Sequence, residues 1–324
     1  MLGPRMARTG IDLGTGSVKL VRGVGKTRLE RITHIGLEEW NPADESGGQS
    51  GPVVAALGRL LQRLGLGRGA LGRVAVAMEG EEASLKEVLL PALSADDLRR
   101  ALPFEAKKHL IIESMSAPLL DFQILGDGPP SEEGGRQVWV LLAAAPSAQR
   151  DFSLHVLAKN GIEPEVVEVE PLAALNSLSA EPMKQAAPDV VHGLLDLGGR
   201  HAALVLKGQP GSLLSRPVGP SAPRTDDPTK TNGYAEALIE GIRETLTFYR
   251  GRHRADVDAI HVCGGGSLRE GIVERLAGGL RLTVDLLDPL GDLADAASGI
   301  EEAASSGPRF STAVGLARWW DVAP

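Results

Sequence analysis

A single cysteine, Cys263, excludes an intrachain disulfide framework and a metal centre built on paired thiolates, and it fits a reducing cytoplasm. Aromatic residues make up only 3% of the chain, so its cores must be built from Leu, Val, Ala and Ile. Long apolar runs are missing too. The longest, Val138–Ala145, falls far short of the roughly 20 residues that span a bilayer. The opening MLGPRMARTG lacks the apolar centre of a signal peptide, so a soluble protein is expected. There is no basic excess. A net charge of −8 argues against nucleic acid as a partner. The seven histidines include no pair at metal spacing, so zinc is not expected.

What is present is a pattern that occurs twice. Thr9–Leu13, Ser17–Gly23 and Arg28–Leu37 read as three antiparallel strands joined by short glycine-containing turns. A polar loop, Asn41–Pro52, precedes a helix with apolar Val53, Val54, Leu57, Leu60, Leu61 and Leu64 at helical spacing, then a strand, Arg73–Met78. After Glu79 the texture changes. Ser94 and Asp97 form a capping box, and Pro103 predicts a kink or break in the helix that follows. Strands Leu119–Leu125 and Arg136–Ala145, a helix Ser147–Asn160, a strand in EPEVVEVEP and a helix from Pro171 come next. A linker, EPMKQAAPD, leads to the second copy. Val190–Leu206 is again an apolar strand ending in Asp-Leu-Gly, with an apolar strand after it. A strand in GSLLSRPV, a long helix Tyr234–Arg250, a strand–glycine–helix unit in DAIHVCGGGSLREGIVERL, a strand in RLTVDLLDP and a closing helix, FSTAVGLARWW, complete the chain. The repeat predicts two like lobes facing one another.

The turns carry the chemistry. In Asp12-Leu-Gly14-Thr15-Gly16-Ser17, glycines allow a sharp turn that presents backbone N–H groups, and two hydroxyls join them as an anion cradle. Asp12 at the strand end would repel phosphate unless a hydrated Mg²⁺ lay between. Lys19 shares a strand face with Ser17, where it could neutralise a terminal phosphate. Alone, this motif is equally an ordinary hairpin. The second copy, Asp196-Leu-Gly198-Gly199, supplies a facing carboxylate and glycine turn. Gly264-Gly265-Gly266-Ser267, between a strand and a helix, offers backbone against which a base or ribose lies, beside a helix N-terminus. Together they predict one nucleotide site, with Asp12 and Asp196 holding Mg²⁺ through water.

Three glycine-rich elements in this order resemble the actin, hexokinase and DnaK superfamily of ATP-binding folds. The middle segment, with LRRALPFEAKKHL, LLDFQILGDG and VVEVEPLAAL, resembles the PilM family of type IV pilus assembly proteins, relatives of the division protein FtsA. The similarity runs from about Thr9 to Ala317. It implies an α/β, actin-like (ribonuclease H-like) two-lobed fold with mixed sheets and a βαββα-type insertion. The lobes would be 8–80 with 167–188, and 189–306; the insertion would be 81–166, and a C-terminal helix at 307–320 would return to the first lobe. It implies a cytoplasmic scaffold of the pilus assembly platform, involved in twitching motility. Such a scaffold binds ATP and Mg²⁺ with at most weak ATPase activity. It also binds the N-terminal peptide of a PilN-like inner-membrane protein and connects it to pilus motor ATPases, so membrane association is indirect. Leu102, Phe104, His109 and Leu110 are candidates for the partner surface, or else core of the insertion.

One departure stands out. Small hydroxyl residues usually follow the second Asp-Leu-Gly; here Gly199 is followed by Arg200 and His201. Arg200 either pairs with a phosphate oxygen or fills the pocket, which places hydrolysis in question. Glu168 and Glu170, on one face if the strand alternates, are candidates for orienting an attacking water; the alternative is a charge at a helix N-terminus. Trp319 and Trp320 are expected to pack the last helix on the first domain. The competing readings are a small-molecule (sugar) kinase of the same superfamily, for which no acceptor-side aspartate is identifiable, and an FtsA-like filament former, for which no membrane tail is evident.

Overall fold

The computed structural model describes residues 5–41, 50–178, 190–222, 228–293, 297, 299–300 and 306–322. Most of the polar loop (42–49) and the linker (181–189) lie outside these residues.

Two five-stranded mixed sheets are built on one plan. In the first, β1 (Met6–Leu13) pairs antiparallel with β2 (Ser17–Gly25), β2 with β3 (Arg31–Glu39), while β4 (Arg73–Met78) and β8 (Val166–Val169) add in parallel on the other side of β1. The strand order is β3-β2-β1-β4-β8. The second sheet, β11-β10-β9-β12-β13, repeats that order with β9 (His192–Leu197), β10 (His201–Lys207), β11 (Leu214–Pro220), β12 (Ala259–Cys263) and β13 (Thr283–Leu286). The chain has an actin-like α/β fold.

Alternation along the strands sorts each sheet into two buried faces. On the first sheet, Ile11, Val18, Leu20, Val74 and Val76 meet helix α1 (Gly51–Arg63) through Val53, Ala56, Leu57 and Leu60, and helix α3 (Ser147–Lys159) through Val156 and Leu157. The opposite face receives α4 (Glu170–Leu175) and α7 (Ser311–Ala317). These pack so closely that a Cβ on Gly10 would fall 2.0 Å from the Ala313 carbonyl oxygen, and one on Gly315 1.7 Å from that of Ala173. The last turn, α8 (Trp319–Val322), is tied to the same lobe: Asp321 accepts from Arg8 and from the Leu29 N–H at 2.9 Å, and Arg73 lies over the Trp320 ring. The second sheet buries Leu195, Leu197, Leu204 and Ile260 under α5 (Pro228–His253) and α6 (Ile272–Leu280) through Leu238, Ile242 and Leu276.

The insertion is an antiparallel sheet, β5-β7-β6, made of β5 (Ser84–Pro91), β6 (Pro118–Asp127) and β7 (Gln137–Pro146), with α2 (Ala95–His109) packed on it. Strand β5 is the first strand of the βαββα-type insertion that the resemblance implies, but the local pattern did not locate it. Its segment SLKEVLLP carries charges on both sides of the alternation, and one of them, Glu87, is buried. Helix α2 runs through Pro103 without the break that was one of the two expectations. Pro103 is exposed, where water can take the carbonyl it frees, and Leu98, Leu102, Ala106 and Leu110 hold the helix to the sheet from its other side. By its packing α3 belongs to the first lobe's core. A buried clamp joins the insertion to the second lobe: the Glu87 carboxylate accepts from Lys207 Nζ and from the N–H groups of Gly211 (2.6 Å) and Leu213 (3.2 Å).

Candidate functional site

Parallel strands β1, β4 and β8 end side by side, and each ends in or just before an acid: Asp12, Glu79 and Glu170. Strand β9 of the opposite lobe ends with Asp196. Ligand sites of open α/β sheets lie beyond such carboxyl ends. Glu170 feels the charges of the other three, and we call the place between these strand ends the crevice. Burial, then Asp196, Asp12 and Glu79, push Glu170 up to about 8, with Lys19 opposing. Burial and Asp12 push Asp196 up to about 6 against the opposing charges of Lys19 and His201. The facing carboxylates expected from the sequence are thus electrostatic neighbours.

The glycine turns frame this crevice. Asp12 is buried beside Gly14, and Trp40 brackets the first turn by donating its indole N–H to the Gly14 carbonyl (3.2 Å) and its backbone N–H to that of Gly16 (3.0 Å). Opposite, a methyl placed on Gly199 would lie 3.7 Å from Cβ of Thr15, so the two turns meet. Gly264 has φ of +81°, and a Cβ there would fall 2.2 Å from Oδ1 of Asp196. This backbone therefore requires glycine both for its conformation and for space.

Several of the expected site residues have partners within the protein. Lys19 is a partner of Asp12 (Nζ to Oδ2, 2.8 Å), as their register across β1 and β2 dictates. Arg200 Nη1 donates to both oxygens of Glu79, one at 2.6 Å. Gly265 and Gly266 open a 3₁₀ turn, Gly265–Leu268, and α6 starts only at Ile272, so the triple glycine does not abut a helix N-terminus. Gly266 is packed against Leu197, and Ser267 is buried with its hydroxyl donating to the Gly264 carbonyl (2.6 Å), bracing the turn from inside. Gly198 closes the β9–β10 turn by accepting Ala222 N–H and donating to the His201 carbonyl. Glu168 and Glu170 do not share a face, because the strand gives way to α4 between them. Glu168 accepts from the Trp319 indole (2.9 Å) and the Val169 N–H, while Glu170 joins the crevice.

Four site residues had escaped the sequence reading. Glu79 was signalled, since it follows an apolar strand as Asp12 and Asp196 end theirs. Arg309, in a short turn before α7, reaches Ser17 Oγ (3.5 Å) and Glu39 (3.2 Å), and its Nε passes near Gly265. Trp40 and Tyr234 carry no local signal. Tyr234 is buried near Asp196 and Arg269, and its hydroxyl has no partner among the described residues; burial raises its pKa. Of the partner-surface candidates, Leu102 and Leu110 belong to the insertion core. His109 is mostly buried beside Glu105 (3.3 Å), and Phe104 is 76% exposed.

The carboxylates Asp12, Glu170 and Asp196 fit a hard, oxygen-seeking cation such as Mg²⁺. Burial first, and then repulsion among the acids, raises the pKa of Glu170 and of Asp196, and a cation would relieve that repulsion. The sequence profile of type IV pilus assembly protein PilM matches residues 10–210. The chain belongs to the PilM family. It is a type IV pilus assembly protein with an actin-like fold. It is similar to the solved PilM–PilN type IV pilus biogenesis complex, with a TM-score of 0.75 and 23% identity over 99% of this chain and 100% of that one. It is also similar to diol dehydratase-reactivating factor in nucleotide-free form, with a TM-score of 0.50 and 10% identity over 97% of this chain and 99% of that one. No curated protein matches by sequence. Among the described residues no helix is long and apolar enough to cross a membrane.

Proposed function

We propose that this PilM-family protein holds Mg-ATP between its lobes with slow or no turnover. We further propose that it captures the N-terminal peptide of a PilN-like inner-membrane protein on its insertion, linking that protein to the pilus motor ATPases. The observation that carries the nucleotide reading is the coupling of Asp12, Glu170 and Asp196, contributed by equivalent strand ends of two repeated sheets, beside three glycine turns. Asp12 and Asp196 would hold the cation through its water shell, and the cation would screen the phosphates from the carboxylates. Backbone N–H groups of Gly14, Thr15 and Gly16 would face the phosphates, with Ser17 and Arg309 beside them. The glycines at 264 and 265 would bound the nucleoside end.

Slow turnover follows from the acids present. Glu170 can act as a base only once Mg-nucleotide has drawn off its proton, and Glu79 is held by Arg200. Glu168 is committed to Trp319.

The partner reading is supported by the similarity to a structure solved as a PilM–PilN complex and by two exposed apolar side chains, Phe104 in α2 and Ile111 just past its end, the latter 73% exposed. Peptide capture against such a surface is a helix-in-groove mode, and it would bring the protein to the membrane through the partner alone. Calorimetric titration with Mg-ATP, with and without the PilN-type peptide, tests both parts. Heat and a thermal shift are expected for each ligand. Neither signal at millimolar nucleotide would refute the cleft reading, and no peptide heat would refute the partner reading.

A further inference from the structure

The β9–β10 turn departs from a phosphate loop in a specific way. Its two bulky residues both face acids of the opposite lobe. Arg200 Nη1 donates to both oxygens of Glu79, and His201 Nδ1 lies 3.8 Å from Oε2 of Glu81. Glu79 and Glu81 flank Gly80, whose backbone is pressed against α4: a Cβ on Gly80 would fall 2.2 Å from Cδ of Pro171. The acceptors therefore sit on a fixed ledge of the first lobe, and the donors sit on the turn of the second. Both pairs cross the cleft. Beside them the Thr15 and Gly199 turns face each other, near enough that a methyl on Gly199 would touch Cβ of Thr15.

We propose that Arg200–Glu79, flanked by His201–Glu81, is an interlobe latch that holds the cleft shut in the nucleotide-free protein, and that nucleotide enters when it parts. The ligand of this device rests on the nucleotide reading above; its geometry does not. The guanidinium is engaged by Glu79, so in this closed state Arg200 acts as a fastener. Its strength suits the task. The two side chains are 54% and 29% exposed, and an ion pair this accessible shifts an equilibrium about two- to fivefold, little enough for ligand binding to overcome. The buried Glu87–Lys207 clamp joins the insertion to the second lobe independently, so the lobes stay tethered when the latch parts.

The test uses full-length protein with spin labels at Gln62→Cys on α1 and Glu240→Cys on α5, both exposed positions; Cys263 is fully buried and does not label. Without nucleotide, Arg200→Ala and Glu79→Gln should each raise the population of the longer interlobe distance about two- to fivefold, and the nucleotide association rate should rise by a similar factor. Arg200→Glu and Glu79→Arg should each open the cleft, and the two together should close it again. Distances unchanged in the single variants overturn the latch. Weaker nucleotide binding by Arg200→Ala at unchanged distances also overturns it and makes Arg200 a phosphate ligand. A wild-type protein that binds no nucleotide refutes the nucleotide reading, while the distances still decide the latch.

Discussion

Removing the Glu87 carboxylate should cost a large share of this protein's stability, because it leaves buried donors unpaired. The side chain is 2% exposed and serves three donors: the Lys207 ammonium and the N–H groups of Gly211 and Leu213. Glu87→Gln keeps the shape but removes the charge, and its amide can satisfy only part of the donor set. Breaking a buried pair by removing one partner costs about 3–5 kcal/mol, because the other charge stays uncompensated. Lys207 is 20% exposed and can lean toward water, so the lower end, about 3 kcal/mol, is expected. Unfolding entropy of roughly 2.1 cal/mol/K per residue gives about 0.7 kcal/mol/K for a chain of 324 residues that unfolds cooperatively. The melting temperature should therefore fall by about 4–5 °C. Lys207→Met alone leaves a buried carboxylate, and adding it to Glu87→Gln should cost less than the sum, with a coupling of at least about 1.5 kcal/mol. Calorimetry on the four proteins completes the cycle. A melting temperature within a degree of wild type for Glu87→Gln, or a coupling near zero, would show that the clamp is not a desolvated ion pair, and the attachment of the insertion to the second lobe would need another cause.

Three further outcomes are expected. Glu170 and Asp196 have folded pKa values of about 8 and 6, above their ordinary 4.5 and 3.8. Their protonated forms stabilise the nucleotide-free fold in full below pH 4, and that stability is lost as pH rises toward 8. Mg-nucleotide would fix the ionised forms, so binding should strengthen from pH 6 to 8 and release protons, read by calorimetry in buffers of different ionisation enthalpy; no proton release would contradict a shared cation site. Gly264→Ala forces a side chain into a left-handed backbone 2.2 Å from Asp196 and should abolish nucleotide binding in a thermal-shift assay, an idea that fails if binding persists at wild-type affinity. Phe104→Ser should leave the melting temperature unchanged and weaken peptide binding. Leu102→Ala, in the core, should cost about 2–5 kcal/mol; equal stability effects for the two would erase the distinction between surface and core.

Much of the frame was legible because it is written in short-range patterns. Strand β4 was bounded to the residue, and β2 and α3 nearly so, since alternation, helical periodicity and glycine stops act within a few residues. The recurrence of an acid and glycines after an apolar strand located both turns. The failures are also physical. Pro103 was read as a kink or a break, and the break is absent because packing of one helix face outweighs one lost hydrogen bond. Glu168 and Glu170 were placed on one face by extending strand alternation past the point where α4 begins. Leu102 and Leu110 look like Phe104 in sequence, and only the sheet beneath α2 separates core from surface.

The sequence by itself determined the repeated strand–turn–strand units, the acids at their ends and an aliphatic core, because period and turn chemistry are local properties of the chain. Only the tertiary structure decided which charges meet. Glu79 finds Arg200 at a separation of 121 residues and Glu87 finds Lys207 at 120. The energy of such pairs depends on distance and burial in the folded molecule, and neither quantity exists until the lobes have packed.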